Sequence, residues 1–176
     1  MKKILVIQLL ISLFASGGAI SVDEPPGGIK LLQGYSIKHQ YAVDASVWLI
    51  EKPSGPKIRF EAGPSEGSWA DPGKKNSYAW FKEQIVNGYK VRVALIKPGL
   101  KTVLEPDNGR GLKAGNILVV TFLLESEKSG YTANFSAKVA NSEELADVLL
   151  IALTFDPSKG GGLTLDSATG RVARAL

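Results

Sequence analysis

The stretch from Trp80 to Ile96, WFKEQIVNGYKVRVALI, most constrains what this chain folds into. Two strand-like runs flank Asn87-Gly88, and a two-residue Asn-Gly turn requires φ > 0 at both central positions. Such a turn sets the register of the whole hairpin. Val86 faces Tyr89, Gln84 faces Val91, Lys82 faces Val93 and Trp80 faces Leu95, while Ile85–Lys90, Glu83–Arg92 and Phe81–Ala94 share the other face. The first face is the more apolar and is expected to meet the core. Glu83–Arg92 is a cross-strand pair of opposite charge, worth ~0.2–1 kcal/mol. Neither face carries a catalytic set, so the hairpin reads as scaffold.

Period-two alternation continues on both sides. Tyr35 to Tyr41 reads as an opening strand, and Val47–Glu51 and Lys57–Ala62 pair around Pro53-Ser54-Gly55-Pro56. Ile117 to Leu124 is apolar at nearly every position, which places it centrally, covered on both faces. Tyr131 to Val139 alternates again. The period then changes: in NSEELADVLLIALTF, Asn141 and Glu144 form a capping box, and Leu145, Val148, Leu149, Ala152 and Phe155 make one helical stripe. Asp156-Pro157 is expected to stop that helix. The fold class expected is α+β, a mostly antiparallel sheet of about six strands in meander order with one C-terminal helix packed on one face.

The ends read differently. Residues 1–21 have a Lys2-Lys3 n-region, an apolar stretch from Ile4 to Phe14 and small residues around Ala19, the order of a cleavable signal peptide. Residues 22–29, with two prolines and two glycines, read as a flexible lead-in; 30–156 read as the single α+β domain. Residues 157–176 read as a Gly-rich tail expected to be disordered. The chain has no cysteine, which removes disulfides, thiol nucleophiles and thiolate metal sites. With the short basic leader, this points to export in a bacterium, periplasmic or secreted. No later segment reaches the ~18 apolar residues of a membrane span, so none is expected in the mature chain.

Charge and motifs exclude more than they assign. Lys+Arg 21 against Asp+Glu 17 gives +4, and the leader takes two lysines with it, so nucleic acid is not the expected partner. His39 is the only histidine, no G-x-S-x-G occurs, and no catalytic residue, cofactor or metal site is expected. Glu105, Asp107 and Asn108 lack the EF-hand spacing, and Gly109, Gly111 and Gly115 follow no phosphate-loop pattern. The sequon Asn134-Phe135-Ser136 matters only in a eukaryotic secretory route. Glu61, Glu66, Asp71, Glu83 and Glu125 are the carboxylates available to a glycan-acting hydrolase, which needs two of them ~5–9.5 Å apart.

Two loops stand out. Trp69 lies in the polar stretch GPSEGSWADPG, where it either stacks on a ligand or folds back onto the core. The connection 97–116 is long and carries Lys101, Arg110 and Lys113, a basic set able to face an anion. Trp69, Lys101, Arg110 and Lys113 are therefore the candidate partner- or ligand-binding residues.

WFKEQ (Trp80 to Gln84), VTF (Val120 to Phe122), ANFSAKV (Ala133 to Val139) and SEELADVLLIALTF (Ser142 to Phe155) together resemble a group of small exported bacterial proteins of unassigned function. The resemblance covers 45–63, 78–96 and 117–157, with 97–116 longer than the group's connection. It implies the architecture and carries no catalytic residue over. The expected function is a non-enzymatic exported binding module of the bacterial cell envelope, engaging an envelope protein or polymer through the 63–77 and 97–116 loops. The alternatives are the glycan hydrolase and a structural or inhibitory protein that pairs through a sheet edge.

Overall fold

The computed structural model describes residues 26–41, 46–64, 68–98, 116–124, 131–159, 164–166 and 171–173. The leader 1–21 lies outside them.

Seven strands make one antiparallel sheet: β1 (Ser36–Tyr41), β2 (Ser46–Glu51), β3 (Ile58–Pro64), β4 (Tyr78–Val86), β5 (Tyr89–Ile96), β6 (Asn116–Leu123) and β7 (Tyr131–Val139). The count corrects the expected six. Their order is β1-β2-β3-β7-β6-β5-β4. Two meanders are thus sewn together by β3 and β7, with Phe60 directly opposite Phe135. Within the tail, β8 (Thr164–Asp166) pairs with β9 (Arg171–Ala173) as a separate two-stranded sheet.

The hairpin is built as its turn demands. Asn87 and Gly88 take φ of 50° and 84°, and the β4–β5 register is the one expected, from Val86↔Tyr89 to Trp80↔Leu95. A bulge between Tyr78 and Trp80 shifts the register beyond that point.

Helix α1 (Ser142–Ala152) covers one face. The Asn141 side chain accepts from the Glu144 amide at 2.9 Å, satisfying one orphan donor of the first turn, and the Glu144 carboxylate reaches back to accept from the Ala140 amide at 2.7 Å, one residue before the cap. Val148, Ile151 and Ala152 are buried, with Leu145 and Leu149 packed at the margin. The helix stops at Ala152, before the expected Asp-Pro. The Thr154 hydroxyl and amide both donate to the Ile151 carbonyl, at 2.7 and 3.2 Å, and tighten the exit. Phe155 then enters the core from that turn, with ring centroids 5.2 Å from Phe60 and 5.0 Å from Phe122.

Pro26–Gly28, lead-in by composition, form a short 3-10 turn in contact with this plug, and Ile29 is buried beside it. The Asp156 amide donates to the Gly27 carbonyl at 2.8 Å, and the Asn87 side-chain amide donates to the Phe155 carbonyl at 3.0 Å. Gly27 has φ +60°, and a Cβ there would run into the Phe155 ring; Gly34 has φ +83° with open space around it. Gly34→Ala should therefore cost only the left-handed penalty, about 1–2 kcal/mol. Gly27→Ala should cost about 1–3 kcal/mol more through overpacking. Urea denaturation of the two variants reads the difference; equal losses would mean that Phe155 yields freely.

Candidate functional site

The helix covers one face of the sheet, and the segment 68–77 covers part of the other. Register alone places Glu61, Asn134, Thr121, Arg92 and Glu83 in one row across β3, β7, β6, β5 and β4. The middle of this row is buried: Thr121 and Asn134 are at most 1% exposed and Arg92 is 7% exposed. Buried polar groups need partners, and the hydroxyl and amide at the centre have them. The Thr121 hydroxyl donates to Asn134 Oδ1 at 2.7 Å, and Asn134 Nδ2 donates to Thr132 Oγ1 at 2.8 Å. At the two ends, Arg59 pairs with Glu61 at 2.7 Å and Arg92 with Glu83 at 3.4 Å. Asn134 is the sequon asparagine, so the folded chain does not present it.

Trp69 sits over this row, half-buried. Its amide donates to Asn134 Oδ1 at 3.5 Å, and the Ala70 amide donates to Thr121 Oγ1 at 3.2 Å. The Arg59 guanidinium lies 5.6 Å from the indole centroid, occupying a face of the ring. Next to it, the Tyr78 hydroxyl donates to the Asp71 carbonyl and accepts from the Asp71 amide, at 3.0 and 2.9 Å. Burial, first among the causes, pushes the Tyr78 phenol up. Ala70, Tyr78, Ala94, Ile96, Ile117 and Val119 form a second apolar cluster beneath, with Trp69 and Phe81 packed against it. The strand run Ile117–Leu123 is thus covered on both faces, as its composition requires. Lys101, Arg110 and Lys113 lie outside the described residues, as do Glu66, Glu105, Asp107, Asn108, Gly109, Gly111, Gly115 and Glu125.

The two candidate carboxylates that the strand register places do not converge. Glu61 on β3 and Glu83 on β4 are four strand spacings apart, about 19 Å, well beyond the separation a glycosidase uses. Among the described residues no group of three or more histidine or acidic side chains is placed to hold a metal, and no helix is long and apolar enough to cross a membrane. His39 packs against Trp48 in a tilted ring contact, with centroids 5.1 Å apart.

On the helix side, Tyr35, Lys52 and Asp147 tie the sheet edge to α1. The Tyr35 hydroxyl donates to Asp147 at 2.9 Å, Lys52 forms an ion pair with the same carboxylate, and the Lys52 ammonium lies over the Tyr35 ring. The hydrogen bond from Lys52, then that from Tyr35, holds the Asp147 carboxyl below its ordinary range.

The sequence allows pairing through a sheet edge without saying which strand is one; the structure makes β4 an edge. The face of β4 that includes Trp80 was expected to meet the core. Opposite it, Val91 and Val93 are buried in the main cluster, but Trp80 is 44% exposed because β4 ends the sheet, beyond α1 on β6 and β7. Ile85, on the other face, is 69% exposed. Polarity alternation says which face a residue shares, not how far a covering helix reaches.

Comparison with protein-family models, curated proteins and solved structures returns no match.

Two outcomes are expected. Thr121→Val keeps the shape but leaves the Ala70 amide and Asn134 short of a partner, so it should cost about 1–3 kcal/mol in chemical denaturation and expose Trp69 fluorescence to quencher. An unchanged midpoint would place no weight on that network. Asp147 has a folded-state pKa below its unfolded one, so its stabilisation is present above about pH 4 and lost as pH falls through the folded value. Asp147→Asn should flatten the acid limb of the Tm–pH curve; an identical acid limb would assign it to other carboxylates.

Proposed function

We propose that this chain is a non-enzymatic, exported interaction module of the bacterial cell envelope, and that the open edge of β4 is its recognition surface. The observation that carries the reading is the edge itself. β4 is nine residues long, stands at the end of the sheet and exposes Trp80 and Ile85 on opposite faces. Sheets commonly blunt such edges, because a row of free N–H and C=O groups templates another strand. A long edge with large apolar side chains on both faces suits an added strand: the main chain gives affinity and alternate side chains give specificity.

Of the expected loop surface, the 63–77 part fits less well. The backbone of Trp69 and Ala70 is bonded to the sheet, and Arg59 occupies an indole face, so residues 68–71 serve first as a cover for the second cluster. Export rests on the leader, and the absence of a catalytic assignment rests on the sequence.

The test is site-directed photo-crosslinking in the exporting cell, with the crosslinker at Ile85 or, as control, at Leu150, which is 58% exposed on α1. The reading expects products from position 85 well above those from 150. Glu83→Pro should abolish them without unfolding the chain. A two-residue turn closes on a hydrogen-bonded pair, Val86–Tyr89, so the Glu83 amide points away from β5 and proline there spares the β4–β5 ladder. Equal crosslinking from 85 and 150 would remove β4 as the recognition surface.

A further inference from the structure

We infer that the strand added to β4 is β4 of a second copy, related by a two-fold axis normal to the sheet and centred on Glu83. This rests on the reading of β4 as a recognition edge and names its partner.

Three independent features of β4 agree. The first is direction. Seven strands, every neighbouring pair antiparallel, leave β1 and β4 running the same way. Copies stacked β4 on β1 by translation would meet as parallel strands, whereas β4 on β4 continues the antiparallel ladder and closes as a dimer.

The second is side-chain polarity, which is palindromic about Glu83: Trp80 and Phe81 are apolar, Lys82, Glu83 and Gln84 polar, Ile85 and Val86 apolar. A two-fold axis at Glu83 sets Trp80 opposite Val86 of the second copy on one face and Phe81 opposite Ile85 on the other, with Lys82 opposite Gln84. Centring on Gln84 would oppose Glu83 to Ile85 and Phe81 to Asn87; centring on Lys82 would oppose the two lysines and set Phe81 against Glu83. Of these three, the Glu83 register alone matches apolar with apolar across 80–86.

The third is the backbone. With Val86–Tyr89 a hydrogen-bonded pair, the outward N–H and C=O groups belong to Phe81, Glu83 and Ile85. In the Glu83 register these same three residues meet one another across the axis, so each outward group finds its counterpart.

The register has one cost, the two Glu83 carboxylates facing each other. Each is flanked within its own copy by Lys90 and Arg92, both 3.4 Å away, giving a + − − + row across the axis. A single strand pair falls below the ~1,200 Å² of standard interfaces, so the dimer is weak and concentration-dependent.

The experiment is sedimentation equilibrium of the purified chain from micromolar to millimolar concentration. Wild type should dimerise. Glu83→Gln should tighten the dimer about two- to five-fold by relieving the like-charge pair. Ile85→Lys, a change at a mostly exposed position that sets a cation opposite Phe81, should weaken it about tenfold or more, and Leu150→Lys should leave it unchanged. A dimer indifferent to Ile85→Lys, or weakened by Glu83→Gln, overturns the inference. So does a monomer at every concentration; in that case photo-crosslinking from position 85 to a different protein would keep the edge reading, and its absence would remove both.

Discussion

The pairing of β3 with β7 is the contact on which the rest of the structure depends. Each meander alone has an apolar face and nothing to bury it against. Joined from Ile58↔Ala137 to Pro64↔Tyr131, they bring Phe60 and Phe135 to a centroid distance of 4.5 Å. Phe155 then closes over both, and the Pro26–Ile29 turn closes over Phe155. On the opposite face the same pairing aligns Glu61 with Asn134 and so completes the polar row beneath Trp69. The partners are far apart in sequence, from Pro64↔Tyr131 to Ile58↔Ala137, and loop-closure entropy makes such a pairing costlier to form than the pairings within each meander.

The seam also decides which surfaces are left open. With β3 and β7 in the middle, β1 and β4 become the edges, and α1 lies over β6 and β7. The β1–β2 side is tied to the helix through Tyr35, Lys52 and Asp147, which share one carboxylate. Among the described residues β4 has no such side-chain tie to α1; its fixed points are the hairpin tip, through Asn87 and the Phe155 carbonyl, and the Tyr78–Asp71 bonds at its start. Between them β4 is the last strand of the sheet, with no neighbouring strand on its outer side among the described residues.

Local signals were read well from the sequence. Asn87-Gly88 gave the hairpin register residue by residue, because the turn conformation leaves one choice. Asn141 and Glu144 marked the helix entry, because few residues satisfy its free amides. What depends on distant parts of the chain was less legible. The helix exit was placed too late, since the Thr154 hydroxyl competes for the Ile151 carbonyl before the Asp-Pro stop is reached. Ile151 lay off the expected stripe yet is buried, and Trp80 lay on the apolar face yet is exposed; both turn on where the helix sits, which no periodicity encodes. The Pro-Gly composition of residues 26–28 reads as a linker, although Gly27 is the one residue small enough to lie against Phe155. For Trp69 the sequence offers ligand platform or core cover; its amide is bonded to Asn134 and Arg59 lies over its ring, so it covers the polar row.

Amide hydrogen exchange on the chain at a dilution where it is monomeric tests the account most directly. If β3–β7 is the stable centre and β4 an open edge, the slowest amides will lie in β6 and β7, around Leu118–Phe122 and Ala133–Ala137, while the outward amides of Phe81, Glu83 and Ile85 exchange fast. Protection of those three amides equal to that of β6 in the monomer would contradict it, because the edge would then already be covered by the chain's own residues.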